Sequence, residues 1–451
     1  MSQTFQVNDF VDGQRIRRFN IQLLILSFLT MFADGFDLNS LGFAAPDLVE
    51  LWGVESSAMG PVLSANLLGI FIGAPLLGWL GDRYGRRPLI ITGTLLYGVV
   101  TLLMAWTTTM EQMMLLRFIA GLGIGGIMPN TISLNSELTP KKYRSMLIVL
   151  MFMGITTGST GVGLVAAYFI EDYGWQILFH SGGLLPIVIA LALCLRLPES
   201  LKFLATKPER QAQLIATARA MRPDLDIADD AQFLNPPIVT GSSGNITELF
   251  KGGLVWITPL LWLCFCIALM ANFFLNNLLP LIYAEYGIPA REAALAATMY
   301  HAGGIFGGLL ISLLLDRFGF MIVAVMFALA LPCLALLGIE TLPFGATALV
   351  AGLTGVTILG AQFGNNATAG LIYPTTIRAK GVGMALSIGR FGSIAGPMAG
   401  AALLGMDLNM QQLFLVAATP VLVGLTAALL LSRLCYRRFK SFQLDDTPVD
   451  D

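Results

Sequence analysis

The sequence predicts an all-α membrane protein of twelve transmembrane helices in two related six-helix halves, both termini cytoplasmic. Three observations carry this. Only 12% of the 451 residues are charged and the mean hydropathy is +0.75, whereas a soluble domain carries roughly 25% charge. All but three of the 26 Lys and Arg residues fall on one side of the apolar runs, the exceptions being Arg117, Arg291 and Arg390. Short strings also recur at a constant spacing. Asp82-Arg83-Tyr84-Gly85 matches Asp316-Arg317-Phe318-Gly319, and at the same offset (316 − 82 = 234) Gly121 meets Gly355, Pro140 meets Pro374 and Arg144 meets Arg378.

In chain order, a polar and basic start (MSQTFQVNDFVDGQRIRR) lacks a signal-peptide cleavage site, so the first apolar run is expected to stay as an anchor. Apolar runs of the length needed to cross a hydrocarbon core about 30 Å thick cover 19–45, 58–81, 88–107, 112–135, 145–169 and 176–196. A second set covers 254–283, 292–315, 320–338, 344–369, 380–404 and 411–434. Basic residues cluster at the start, in the loops after spans two, four, eight and ten, between the two sets, and in the tail. The positive-inside rule places all of these in the cytoplasm. The organisation is therefore a first half (1–197), a polar linker (198–253) and a second half with a tail (254–451). The linker should hold short amphipathic helices and the run GSSG; it is read as a connector, with a regulatory role as the alternative. Two halves of like orientation place a site between them near mid-membrane and suggest alternating access by rocking.

Composition excludes several functions. None of the five cysteines lies in an outside loop, and Cys264 and Cys266 point to different helix faces, so neither disulfides nor a metal site is expected. A net charge of −2 implies no nucleic acid. Two histidines and no nucleophile–base pair argue against an enzyme.

Of the 28 acidic residues, only Asp34 and Asp37 sit well inside a span, in FADGFDLN. Three apart, they share a helix face. A lone carboxylate at the bilayer centre is at least about 2.5–3.5 kcal/mol uphill. Two close carboxylates in a low dielectric resist being charged together, so the pair could exchange a proton. The competing reading is a brace for the first helix against Arg117. Arg117 and Arg390 are the basic residues inside spans, and a guanidinium fork suits a carboxylate ligand. Arg390 has no carboxylate within the spans of its own half, which favours it for an anionic substrate; Arg117 could instead form a structural ion pair. His301 and Tyr300, together with Asn272 and Asn276, and Gln362 and Asn366, could join Phe36 in gripping a flat ring with polar substituents.

The loop GWLGDRYGRR, which includes Gly85, reads as a latch for one conformation, the outward-facing state: Gly78 for close helix approach, Asp82 closing the span, and Arg83, Arg86 and Arg87 free to pair across the two halves. Its weaker repeat carries Asp316 and Arg317. Glu137 and Arg144 in ELTPKKYR, and Arg378 in the repeat, belong to the same cytoplasmic layer. These strings, with RFIAGLGIGGIMPN (117–130) and Pro198-Glu199-Ser200, resemble the major facilitator superfamily. Asp34-Gly35-Phe36-Asp37 further resembles the DGxD string of its aromatic acid:proton symporters, as do GAQFGNNATAGLIYPTTIRAKGVGM and IGRFGSIAGP. The resemblance implies a major-facilitator fold and import of an aromatic carboxylate such as a hydroxybenzoate. The transporter would be driven by the proton gradient, without a cofactor, in a bacterial inner membrane, and would serve aromatic hydrocarbon catabolism. Gln176, where an arginine is common, and His301, where glutamine is expected, depart from the pattern. A transporter of another organic anion, a drug exporter and a non-transporting membrane sensor are the alternatives.

Overall fold

The structure, a computed structural model, describes residues 3–235, 246–251, 253–373 and 377–439. The GSSG run, Pro374 and the tail from residue 440 therefore lie outside the described residues, as does the Asp316 side chain. Twelve helices dominate: α1 (Arg18–Trp52), α2 (Met59–Tyr84), α3 (Arg86–Met104), α4 (Met110–Leu138), α5 (Lys141–Tyr173) and α6 (Gln176–Arg196). Then come α7 (Ile257–Glu285), α8 (Ala290–Phe318), α9 (Met321–Leu337), α10 (Phe344–Ile372), α11 (Arg378–Leu404) and α12 (Met410–Phe439). Among the described residues, ten helical segments are long and apolar enough to cross a membrane, and α9 is a shorter apolar helix. Several helices overrun the apolar limits read from sequence, because backbone hydrogen bonding continues after hydropathy stops.

The packing repeats itself six helices on. α1 lies on α5 as α7 lies on α11, α2 on α4 as α8 on α10, and α3 on α6 as α9 on α12. Glycines set the closest approaches and share one register. A Cβ on Gly73 would run into Leu122, and one on Gly307 into Val356; Gly121 abuts Asn66, and Gly355 abuts Tyr300. Gly158 meets Phe32 of α1, and Gly392 meets Cys266 of α7. Every partner in these pairs is displaced by the same interval (307 − 73 = 356 − 122 = 266 − 32 = 234). Backbone contact of this kind lets helices pack by dispersion in lipid, where the hydrophobic effect offers no drive. The sequence match thus extends back into the first helix of each set.

The first six helices meet the last six through α2 on α11, α5 on α8 and α1 on α7. Described polar contacts between them are Ser56 Oγ donating to Glu285 at 2.5 Å and Ser64 Oγ donating to the Ile394 carbonyl at 3.1 Å. Both lie toward the face opposite the chain ends, as do the approaches of Gly163 to Thr298, Gly42 to Asn277 and Gly405 to Ser57. The halves therefore seal at that face.

At the other face sits a feature with no local sequence signal. β1 (Thr4–Gln6) pairs in parallel with β2 (Gln232–Leu234), Phe5 opposite Phe233. Phe5, Phe10 and Phe233 form a ring cluster with centroids 5.1–5.4 Å apart, and Arg222 lies over Phe10. Asp12 accepts from the Lys141 amide at 2.7 Å, and Gln14 donates to the Leu138 carbonyl at 2.9 Å. The start of the chain thus straps the linker, including its helix Gln211–Met221, to the first six helices.

Candidate functional site

The two aspartates of α1 are buried, Asp34 at 3% and Asp37 at 0% exposure, yet they look to different partners. Asp37 turns to α3 and α4: Thr101 Oγ1 donates to it at 2.5 Å, and Arg117 Nη1 lies 3.4 Å from Oδ2. Arg117 also donates to the backbone carbonyls of Asp37 at 3.1 Å and Leu38 at 3.5 Å. The arginine, itself only 1% exposed, is thereby committed to α1. This is the ion-pair arrangement rather than a free substrate ligand. A buried pair of this kind needs hydrogen bonds to its remaining atoms; the threonine and the two carbonyls supply some of them, while Arg117 Nε stays unpartnered.

Asp34 is placed differently. Its Oδ1 is closed off from solvent without a hydrogen-bond partner in the protein. The charge acting on it from the second half is that of Arg390 on α11. The arginine without a carboxylate in the spans of its own half is thus acted on by a carboxylate of the other half. Tyr97 of α3, fully buried with an unpartnered hydroxyl, also feels both aspartates.

In the second half, the Tyr300 hydroxyl donates to Asn272 Oδ1 at 2.8 Å, joining α8 to α7. His301 is 3% exposed, its ring edge-on to Tyr300 at 5.3 Å, and its Nε2 has no partner. Asn276 and Gln362 are buried, each with an unpartnered side-chain oxygen. Asn366 is exposed, and it is Asn365 that is buried and donates to the Cys264 carbonyl at 3.2 Å. Phe36 lies against Gly182 of α6, within the first half.

The latch residues of the loop GWLGDRYGRR are not drawn across the halves in this conformation. Gly78 was expected to bring two helices together, but a Cβ there would meet nothing; Gly73, against Leu122, and Gly81, against the Asn130 side chain, make the close approaches instead. The basic loop was expected to pair across the halves, but its described partners lie in the first half. Arg86 bridges Asp82 at 2.8 Å and Glu137 at 3.2 Å, Arg87 donates to the Cys194 carbonyl at 2.6 Å, and Arg83 stacks over Trp79 and Tyr84. With the halves meeting at the opposite face, this end has no partner surface to grip. The layer keeps the repeat: Arg144 donates to the Thr139 carbonyl, and Arg378 to that of Tyr373. Arg317 lies over Phe318.

Sequence reasoning passed over Thr101, Tyr97 and Asn66, and quoted Glu199 only within a string, without a role. Tyr97 and Thr101 are four apart on α3, a polar stripe that the spacing could have revealed. Asn66 is 1% exposed, and neither its amide nitrogen nor its oxygen finds a partner. Glu199, outside the spans, accepts from the backbone amides of Arg86, Arg87 and Ser200 at 2.9–3.3 Å and so caps the start of α3. Burial pushes its carboxyl above the ordinary range, against the pull of those amides. Gly85, at φ 108°, makes the one-residue turn beside it, and a Cβ there would strike the Glu199 carboxylate. Glu199→Ala is expected to destabilise the protein by about 2 kcal/mol, through loss of charge-assisted bonds to three amides. The check is the thermal unfolding midpoint in detergent.

A helical bundle whose two repeated halves meet at one face, with charge buried between them, has the build of a secondary membrane transporter. Comparison with known proteins agrees. The Major Facilitator Superfamily profile matches residues 27–369 and 261–441. The chain is 34% identical to the 4-hydroxybenzoate transporter PcaK of Pseudomonas aeruginosa, covering 96% of each protein. It is 31% identical to the gallate transporter of Pseudomonas putida, over 94% of each. In fold it matches a bacterial homologue of the human lysosomal transporter Spinster, solved inward-facing and occupied, with TM-score 0.72 at 15% identity over 94% of this chain and 99% of that one. The chain belongs to the Major Facilitator Superfamily.

Proposed function

We propose that this protein imports an aromatic carboxylate of the hydroxybenzoate kind together with protons, by alternating access across a bacterial inner membrane. The helices α1 to α12 all cross the bilayer in this reading, with both chain ends in the cytoplasm, where the positive-inside rule sets them. The units 1–197 and 254–451 rock about the site, joined by 198–253. The observation that carries this reading is a buried carboxylate of the first half, Asp34, whose Oδ1 lacks a partner and which is acted on by the charge of Arg390 of the second half. The names of the relatives, transporters of 4-hydroxybenzoate and gallate, supply the substrate class.

The pairing suggests a coupling rule. Arg390 cannot shed its charge, so in a dry site it needs one anion at a time. With substrate bound, the substrate carboxylate fills that place and Asp34 holds a proton. When the substrate leaves, Asp34 gives up the proton and pairs with Arg390, so the empty carrier can return. A monoanion entering with one proton moves no net charge, and each further proton would add about 2.3 kcal/mol per 100 mV. No cofactor is needed beyond the proton gradient.

The test is uptake of labelled 4-hydroxybenzoate into proteoliposomes under an imposed pH step, with competition by benzoates, sugars and dicarboxylates. Accumulation abolished by a protonophore and competed only by aromatic acids is expected. Competition by dicarboxylates alone, or outward transport of cationic drugs, would assign a different cargo. Stimulus-dependent signalling without flux would make the chain a sensor. Arg390→Gln should raise the half-saturation concentration about a hundredfold, as expected for loss of a charge-assisted bond in a dry site. Arg390→Lys should recover part of the affinity if neutralisation matters more than the fork.

A further inference from the structure

The geometry points to His301 as the residue that reads a ring hydroxyl, giving the chain a preference for hydroxylated aromatic carboxylates over unsubstituted benzoate. This rests on the proposed function and narrows its substrate class. The argument begins with an unmet hydrogen bond. His301 is 3% exposed, and its Nε2 is closed off from solvent with no partner in the protein, a costly condition for a buried ring nitrogen.

Its neighbourhood offers no relief. Tyr300, edge-on at 5.3 Å, has already given its hydroxyl proton to Asn272, so it can only accept. Among the described residues no acidic group acts on the imidazole. Asp34 stands on α1 and Arg390 on α11, and neither acts on the imidazole. A benzoate-type molecule has one end that demands a cation. Its carboxylate therefore belongs at Arg390, and the ring's other end meets a neutral lining. A phenolic hydroxyl both donates and accepts, so it satisfies the imidazole in either tautomer, whereas a bare C–H leaves Nε2 unmet.

The internal repeat shows that the fold itself does not ask for a polar group at this place. Position 67 is the counterpart of 301 (301 − 67 = 234), and there the chain carries Leu67, buried at 5% exposure. Asn66 and Tyr300, the preceding residues, make matched contacts with Gly121 and Gly355, which fixes the register. Histidine at 301 is thus an addition to a position that packs well with an aliphatic side chain.

The experiment measures half-saturation concentrations for 4-hydroxybenzoate and benzoate with wild-type protein, His301→Leu and His301→Gln in the same proteoliposomes. Wild type should favour the hydroxylated acid. In His301→Leu the ratio of the two constants should fall about tenfold, the usual consequence of deleting one specific buried hydrogen bond. His301→Gln, which restores a donor and acceptor, should keep at least half of the preference. If the leucine protein does not reach the membrane, His301→Phe, a flat ring without nitrogens, is read the same way. A wild type that takes benzoate as readily, or an aliphatic or phenyl variant whose ratio is unchanged, overturns the assignment while leaving the proposed transport intact. Failure of the wild type to accumulate either acid would instead remove the proposed function, and this inference with it.

Discussion

Asparagine at position 34 is expected to abolish proton-driven accumulation while sparing exchange of internal for external substrate. Under a pH step of about two units, electroneutral symport with one proton supports roughly a hundredfold accumulation; in Asp34→Asn this should collapse towards unity. The amide keeps the size of the side chain and can still accept a hydrogen bond, so binding to Arg390 survives. What it cannot do is take and release a proton, or return to Arg390 as an anion when the substrate leaves. Accumulation and counterflow measured on one batch of vesicles separate the two. Full uphill uptake by Asp34→Asn would remove Asp34 from the coupling. Asp37→Asn should also lose accumulation, but by another route, because Asp37 is bound to Thr101 and Arg117.

The second large effect concerns that pair. Arg117→Met leaves the Asp37 carboxylate buried beside a thioether, and removing one partner of a buried ion pair costs about 3–5 kcal/mol. The double replacement Arg117→Met with Asp37→Leu removes both charges and should cost far less, despite altering twice as many residues. Unfolding midpoints of the two variants in detergent should therefore fall in an order opposite to the number of substitutions. Equal losses would mean that the pair contributes little to the fold. The same double variant, stable but unable to accumulate substrate, would show that the pair also serves transport.

Much of the architecture was legible because a bilayer writes its demands in long apolar runs and in the placement of Lys and Arg. The repeat was legible too, since close helix crossings require glycine at fixed positions such as Gly121 and Gly355. The site was legible only in part. Spacing placed Asp34 and Asp37 on one face of α1, but helical geometry alone does not say which neighbour each meets. One turns to Arg117 and the other towards Arg390. Nor does spacing say which amide of a pair is buried: Asn365 is, and Asn366 is exposed. A glycine near a helix end, such as Gly78, signals permission for contact, and in this conformation no contact is made there. Pairing of residues 4–6 with 232–234 leaves no local trace, as both strands are three residues long and are held by rings that meet only in the fold.

The shared register makes the two halves directly comparable, residue by residue. Carried along the repeat, Asp34, Asp37 and Arg117 fall on Ala268, Ala271 and Ala351, while Arg390 falls on Thr156. The scaffold of a duplicated unit has been kept, glycine by glycine, and its charges have been dealt out unequally. One copy holds the acids and their counter-ion, and the other contributes the single guanidinium that answers them. Acids at positions 268 and 271 as well would place like charges across the central axis. The unequal placement avoids that repulsion, and leaves two halves that look alike yet cannot exchange roles.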